Sequence, residues 1–264
     1  MNNLTLTPAA TVLLIRDNND GIEVLMVKRS KRPPFGNLYV FPGGKIDESD
    51  KAEKFSDFCI GINDEEASKK LGIRSGGLSY WIACIRECFE EVGILLATKE
   101  NGQELDLNGS EKYKFDNYRK MLLNNEINLF DICQKEGLIL NLTNIEPFSH
   151  WITPEIEIKR FDTRFFIAYL PAKQKEEHDG NELTQSVWIN PKKAIEKAFN
   201  GEMPMIMPTI RNLQECSEYD SGIELLKERS KFTSEDIPAI LPKFFKKEGQ
   251  WVGLLPDDPD YDNY

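Results

Sequence analysis

The sequence is poor in histidine, with two in 264 residues, and none of its five cysteines forms a C-x-x-C pair. The first scarcity leaves little for histidine-based metal or nucleophilic chemistry. The second excludes a zinc ribbon or a disulfide framework, so Cys59, Cys84, Cys88, Cys133 and Cys216 read as reduced thiols. No apolar run approaches the roughly 20 residues that span a bilayer. The opening MNNLTLTPAATVLLIRD lacks the basic start and long apolar stretch of a signal peptide, and the closing DNY matches no lipidation or peroxisomal ending, so a cytoplasmic protein is expected. Also absent are G-x-x-x-x-G-K-[ST], G-x-G-x-x-G and H-E-x-x-H. Basic residues are outnumbered, 33 Lys+Arg against 44 Asp+Glu, for a net charge of −11. That balance argues against nucleic acid and against an anionic membrane as partners. It tolerates a polyanionic substrate only where something local, most simply a divalent cation, inverts the field.

What is present describes a globular α/β chain, 40% hydrophobic and 29% charged. Ala9 to Ile15 and Ile22 to Val27 are aliphatic runs separated by an Asn/Asp/Gly turn, which predicts a hairpin. KRSKRPPFGNLYVFPGGKIDESD predicts a structured loop around a short strand, Leu38 to Phe41. Residues 51–79 read as an inserted segment with one or two short helices, Ser79 to Leu96 as an amphipathic helix, and 111–136 as a peripheral helical insertion. Strands are expected at Leu138 to Leu142, Glu146 to Ile152, Arg160 to Leu170 and Thr184 to Ile189, with helices from Pro191 and after Pro208. The tail WVGLLPDDPDYDNY, in an extension from about residue 220, is expected to be irregular. No linker divides the chain, so 1–264 reads as a single domain with insertions.

The helix SYWIACIRECFEEVGILLA carries the chemistry. At about 100° per residue, Glu87, Glu90 and Glu91 share a narrow arc, and Trp81, Ile85, Cys88, Phe89 and Val92 take the opposite one. Like charges at i,i+3 and i,i+4 repel. A hard dication resolves that conflict with carboxylate oxygens, whereas the alternative is a solvated acidic stripe.

Upstream stands Phe41-Pro42-Gly43-Gly44, and within the helix runs R-E-C-F-E-E-V-G-I, Arg86 to Ile94. This resembles the Nudix box, G-x5-E-x7-R-E-U-x-E-E-x-G-U, with every fixed position of its second half present. The first half departs from it. Asp50 stands where the pattern has Glu, and Gly44 to Arg86 spans 42 steps where the pattern has 14, so 28 extra residues lie inside the box. Such an insertion resembles the acyl-CoA diphosphatase branch, as do ACIRECFEEVGILLA, the Arg160–Phe166 stretch RFDTRFF, and a closing pattern at Trp188, Pro191, Ala194, Ile195, Pro208 and Thr209.

The resemblance implies a Nudix-type α/β/α sandwich with a mixed sheet and helical insertions. It implies a Mg²⁺- or Mn²⁺-dependent hydrolase cleaving the diphosphate of a nucleoside diphosphate derivative, CoA or acyl-CoA first. ADP-ribose, NADH, nucleotide sugars and dinucleoside polyphosphates stay open, as does a module that binds without cleaving, and a homodimer is allowed. Glu87, Glu90, Glu91 and the Gly43 carbonyl would ligate metal, and Arg86 would hold the glutamates in place. Glu182 would complete the site, with Glu155, Glu157 and Asp179 as competitors, and either a box glutamate, Glu87 or Glu90, or Glu182 would take the proton of the attacking water. Arg160, Asp162 and Arg164 alternate along a strand and read either as a phosphate grip or as a cross-strand ladder. Arg29, with Lys31 and Arg32, could meet substrate or form a solvated loop.

Overall fold

In the computed structural model, which describes residues 5–31, 36–180 and 182–263, the opening hairpin forms and then divides. β1 (Thr7–Asn18) and β2 (Gly21–Arg29) pair antiparallel only near their turn, from Ile15↔Val24 to Asn18↔Gly21. Away from the turn the strands part, and the chain from Tyr39 to Lys45 pairs with both. β3 (Tyr39–Val40) pairs with β2 and β4 (Gly43–Lys45) with β1, while the Val12 N–H donates to the Pro42 carbonyl at 2.8 Å.

The inserted segment leaves β4 through a 3₁₀ turn at Glu48–Asp50 and runs through α1 (Ala52–Phe55), β5 (Cys59–Ile60) and α2 (Asp64–Leu71). Asn63 and Glu66 form a capping box at the start of α2. The box helix, α3 (Leu78–Val92), stops short of Leu96 because Gly93 turns left-handed, φ 73°, and returns its N–H to the Phe89 carbonyl.

Beyond it lie β6 (Ala97–Lys99), α4 (Lys112–Leu123), α5 (Leu129–Glu136), β7 (Leu138–Asn141), β8 (Ile145–Ile152), β9 (Phe161–Tyr169) and β10 (Leu183–Ile189). The chain continues with α6 (Pro191–Phe199), α7 (Met207–Cys216), α8 (Gly222–Arg229), β11 (Ala239–Ile240), β12 (Lys243–Lys247) and β13 (Gln250–Leu254).

The main sheet has the order β10-β2-β1-β9-β8-β11 and is mixed, with β1 parallel to β9 and β8 parallel to β11. Its central strand is buried on both sides, which is why β1 reads as a near-continuous apolar run. Ala10, Val12, Leu14 and Phe166 pack on α3, where the Trp81 ring meets Phe166 at 4.7 Å and its Nε1 donates to the Ile145 carbonyl at 2.8 Å. Leu13, Ile15, Met26 and Ile167 face Ala194, Leu213 and Leu225 on α6, α7 and α8. The result is an α/β/α sandwich with a mixed sheet. Among the described residues no helix is long and apolar enough to cross a membrane.

Two expectations need correction. The segment at 111–136 is not peripheral: Phe115, Tyr118, Leu122, Leu129 and Ile132 enter the same core as α3, and the Phe115 ring lies 6.4 Å from that of Phe89. The charged residues between these positions hid their helical spacing. The tail is not irregular throughout either, since Trp251–Leu254 belongs to a β12–β13 hairpin. Its turn places Glu248 and Gly249 both at positive φ, 51° and 82°, as a tight hairpin requires. The Pro/Asp composition behind the expectation of irregular structure begins only after Leu255.

Candidate active site

The site grows from one guanidinium. Arg86 is 3% exposed and every donor it has is used. Nε and Nη2 donate to the two oxygens of Asp50, each at 2.9 Å, and Nη2 also reaches the Lys45 carbonyl at 2.8 Å. Nη1 donates to Glu87 at 2.9 Å and to Glu90 at 3.1 Å. Asp50, at the sequence position of the box glutamate, is fully buried and grips Arg86 in a bidentate pair. The insertion loops out between them, and the Ala52 N–H donates to Ser79 Oγ at 3.2 Å, pinning its start onto the box helix.

The glycines of β4 close over this cluster. The Gly43 N–H donates to Glu91 Oε2 at 3.0 Å, and a Cβ on Gly44 would come 2.3 Å from Glu87 Oε1, so only glycine admits the carboxylate there. The three glutamates do not all point outward as a helical wheel suggests, because Glu91 is buried at 5% exposure.

Burial is the main cause of their electrostatic condition. It pushes Glu87 up to about 7, with Glu90 repelling it and Arg86 opposing the rise. Burial likewise raises Glu90 and, far more, Glu91, which also feels Glu87 and Glu182. Burial works against the charge of Arg86, yet Asp50, Glu87 and Glu90 outweigh it and hold the proton more firmly. One guanidinium thus serves three carboxylates, a fourth lies beside them, and the excess is negative.

Glu182 and Arg29 join from the sheet edge. Arg29 Nη2 pairs with Glu182 Oε1, and both influence Glu91. Asp179, a competitor for the role of Glu182, instead orients it: its carboxylate accepts from the N–H groups of Glu182 and Leu183, each at 2.9 Å. Glu155 and Glu157 are exposed in the β8–β9 loop. Lys31 is exposed, and Arg32 lies outside the described residues.

Arg160, Asp162 and Arg164 are engaged elsewhere. Arg160 Nε donates to the Thr153 carbonyl at 3.0 Å, Asp162 lies 2.6 Å from His150 Nε2, and buried Arg164 donates to the Leu71 carbonyl at 2.9 Å. These contacts use one donor nitrogen of Arg160 and one of Arg164, and the buried Arg164 Nε has no hydrogen-bond partner. No motif marked Arg119 of α4, which donates to the carbonyls of Glu90 and Glu91.

Among the described residues no three of His, Cys, Asp and Glu stand together in ready ligand geometry. The glutamate oxygens are tied to Arg86 and to the Gly43 N–H instead. Their donor set, carboxylates in excess of cations, suits a hard divalent ion.

A Gly-Gly strand closing on an arginine-anchored glutamate cluster, within an α/β/α sandwich, is the architecture of a Nudix hydrolase. The chain belongs to that family: the family model for the NUDT19 Nudix domain matches residues 60–216. Among curated proteins it is similar to the acyl-coenzyme A diphosphatase NUDT19 of Xenopus laevis, at 28% identity over 93% of this chain and 73% of that protein. The human protein of the same name is 21% identical over 92% of this chain and 73% of its own length. Among solved structures, a NUDIX hydrolase from Alicyclobacillus acidocaldarius superposes with a TM-score of 0.72 at 24% identity, covering 88% of this chain and 98% of that one, which supports the fold.

Proposed function

We propose that this diphosphohydrolase cleaves the phosphoanhydride of CoA or an acyl-CoA, releasing 3′-phosphorylated ADP and a phosphopantetheine. The observation that carries the reading is the crowding of Asp50, Glu87 and Glu90 on the single Arg86 guanidinium beneath Gly43 and Gly44. The substrate choice is supported by the acyl-CoA diphosphatases that the chain matches over most of its length.

Glu87, Glu90, Glu91 and the Gly43 carbonyl would hold Mg²⁺ or Mn²⁺, displacing the Arg86 Nη1 contacts with Glu87 and Glu90. When bound, the cation supplies Lewis-acid chemistry, drawing charge from phosphoryl oxygens and making water a stronger acid. Arg86 stays on Asp50 and fixes the turn of α3 from which the glutamates project. Arg29 exchanges Glu182 for a substrate phosphate, and the freed Glu182 carboxylate accepts the proton of the attacking water. The new P–O bond takes the water oxygen as the anhydride P–O bond breaks.

The test is a panel of CoA, acyl-CoA, ADP-ribose, NADH, a nucleotide sugar and a dinucleoside polyphosphate with Mg²⁺, read by product mass. CoA or an acyl-CoA should turn over fastest. Rapid cleavage of another member with none of CoA or acyl-CoA refutes the substrate.

A further inference from the structure

Resting on the catalytic reading above, we infer that Arg119, supplied by the helical insertion, is a positioning residue that sets the last turn of the box helix and with it Glu90, Glu91 and Glu182. The last carbonyls of any α-helix lack intrahelical partners. In α3 two of these belong to Glu90 and Glu91, and Arg119 takes both: Nε donates to the Glu90 carbonyl at 2.9 Å and Nη2 to the Glu91 carbonyl at 2.7 Å. The guanidinium is 9% exposed, and its fixed fork sets the spacing of the two carbonyls in a way that one ammonium cannot. A cation at this end also complements the helix dipole.

The Glu91 carbonyl is shared. It also accepts the Asp179 N–H at 3.1 Å, and the Asp179 carboxylate in turn holds the Glu182 N–H at 2.9 Å. Beside it the Glu177 N–H donates to the Val92 carbonyl at 2.9 Å, while Lys112 of α4 pairs with the Glu177 carboxylate at 2.9 Å. Helix α4 therefore grips both the end of α3 and the loop that carries Glu182. A carboxylate displaced by about an ångström loses much of its catalytic value, so a clamp at this point acts on rate.

The experiment compares wild type with Arg119→Met, Arg119→Lys and Glu91→Gln. It reads kcat and KM for CoA with Mg²⁺, Mn²⁺ affinity without substrate, and thermal midpoint. Arg119→Met should lower kcat and Mn²⁺ affinity by about 10- to 100-fold, the usual cost of removing a group that orients ligands, with KM within about twofold of wild type. Arg119→Lys should recover part of both, and it carries the test if Arg119→Met does not fold. Wild-type kcat and Mn²⁺ affinity in the Arg119 variants, alongside an inactive Glu91→Gln, overturn the inference and leave the catalytic reading standing. A fully active Glu91→Gln overturns both.

Discussion

Two charged clusters meet α3, one near each end, and their charges are settled in opposite ways. Near its start, Tyr80 lies in the field of Asp162 and Arg164. Burial alone would raise Asp162, but His150 at 2.6 Å and Arg164 at 3.6 Å hold its carboxyl below the ordinary value. Near the end of the helix, burial wins: Glu87 rises to about 7, and Glu90 and Glu91 rise with it, although Arg86 touches two of them. The first cluster contains its own counter-charge, Arg164 standing against Asp162. The second has one internal cation for Asp50, Glu87 and Glu90, and its deficit is the property a divalent ion can use. The charge of the whole chain, −11, does not distinguish them.

The comparison breaks most visibly at the glutamates. Glu90→Gln or Glu91→Gln keeps the shape and removes one charge, so folding should persist while turnover with Mg²⁺ falls by at least about 100-fold, the upper range for groups that merely orient ligands. Circular dichroism and steady-state kinetics together check this. Near-wild-type rates in either variant would sink the assignment of these glutamates to the cation.

A smaller effect should appear in stability against pH. Glu87 has its folded value raised from 4.5 to about 7, so between those two values the folded metal-free protein binds more protons than the unfolded chain. Stability then falls as pH rises through that window. Mg²⁺ should offset the loss, lifting the thermal midpoint at about pH 8 and changing it less at about pH 5, where Glu87 keeps its proton. A Mg²⁺ shift of equal size at both pH values contradicts the account.

Legibility in the sequence followed the range of the interaction. Glu87, Glu90 and Glu91 are visible because helical spacing is local, but apolar spacing that continues to Leu96 conceals the stop at Gly93. Asp50 could be located only by counting from Gly44, and its pairing with Arg86, 36 positions away, depends on an insertion that folds out of the way. Arg119 carried no local mark at all, since a guanidinium on a charged helix looks solvated until another helix ends beside it. Strand β13 was lost for a different reason: WVGLL is short, and the Pro/Asp residues after it dominate any average over the tail.

The smallest expected effect tests the self-contained cluster. Asp162→Asn removes the carboxylate between His150 and Arg164 and leaves the Arg164 bond to the Leu71 carbonyl in place. The lowered folded value means that the stabilisation is fully present above the ordinary carboxylate value of 3.8 and is lost as pH falls through the folded value. At neutral pH the variant should be less stable by about 1 kcal/mol, the scale of a partly exposed ion pair. Below pH 3.8 the denaturation curves of the two proteins should converge. Turnover should stay within about twofold of wild type, because this charge has its partners inside the fold and the proposed substrate site lies at the other end of α3. A loss of turnover as large as that of Glu91→Gln would place the RFDTRFF strand in the substrate site after all and erase the contrast between the clusters.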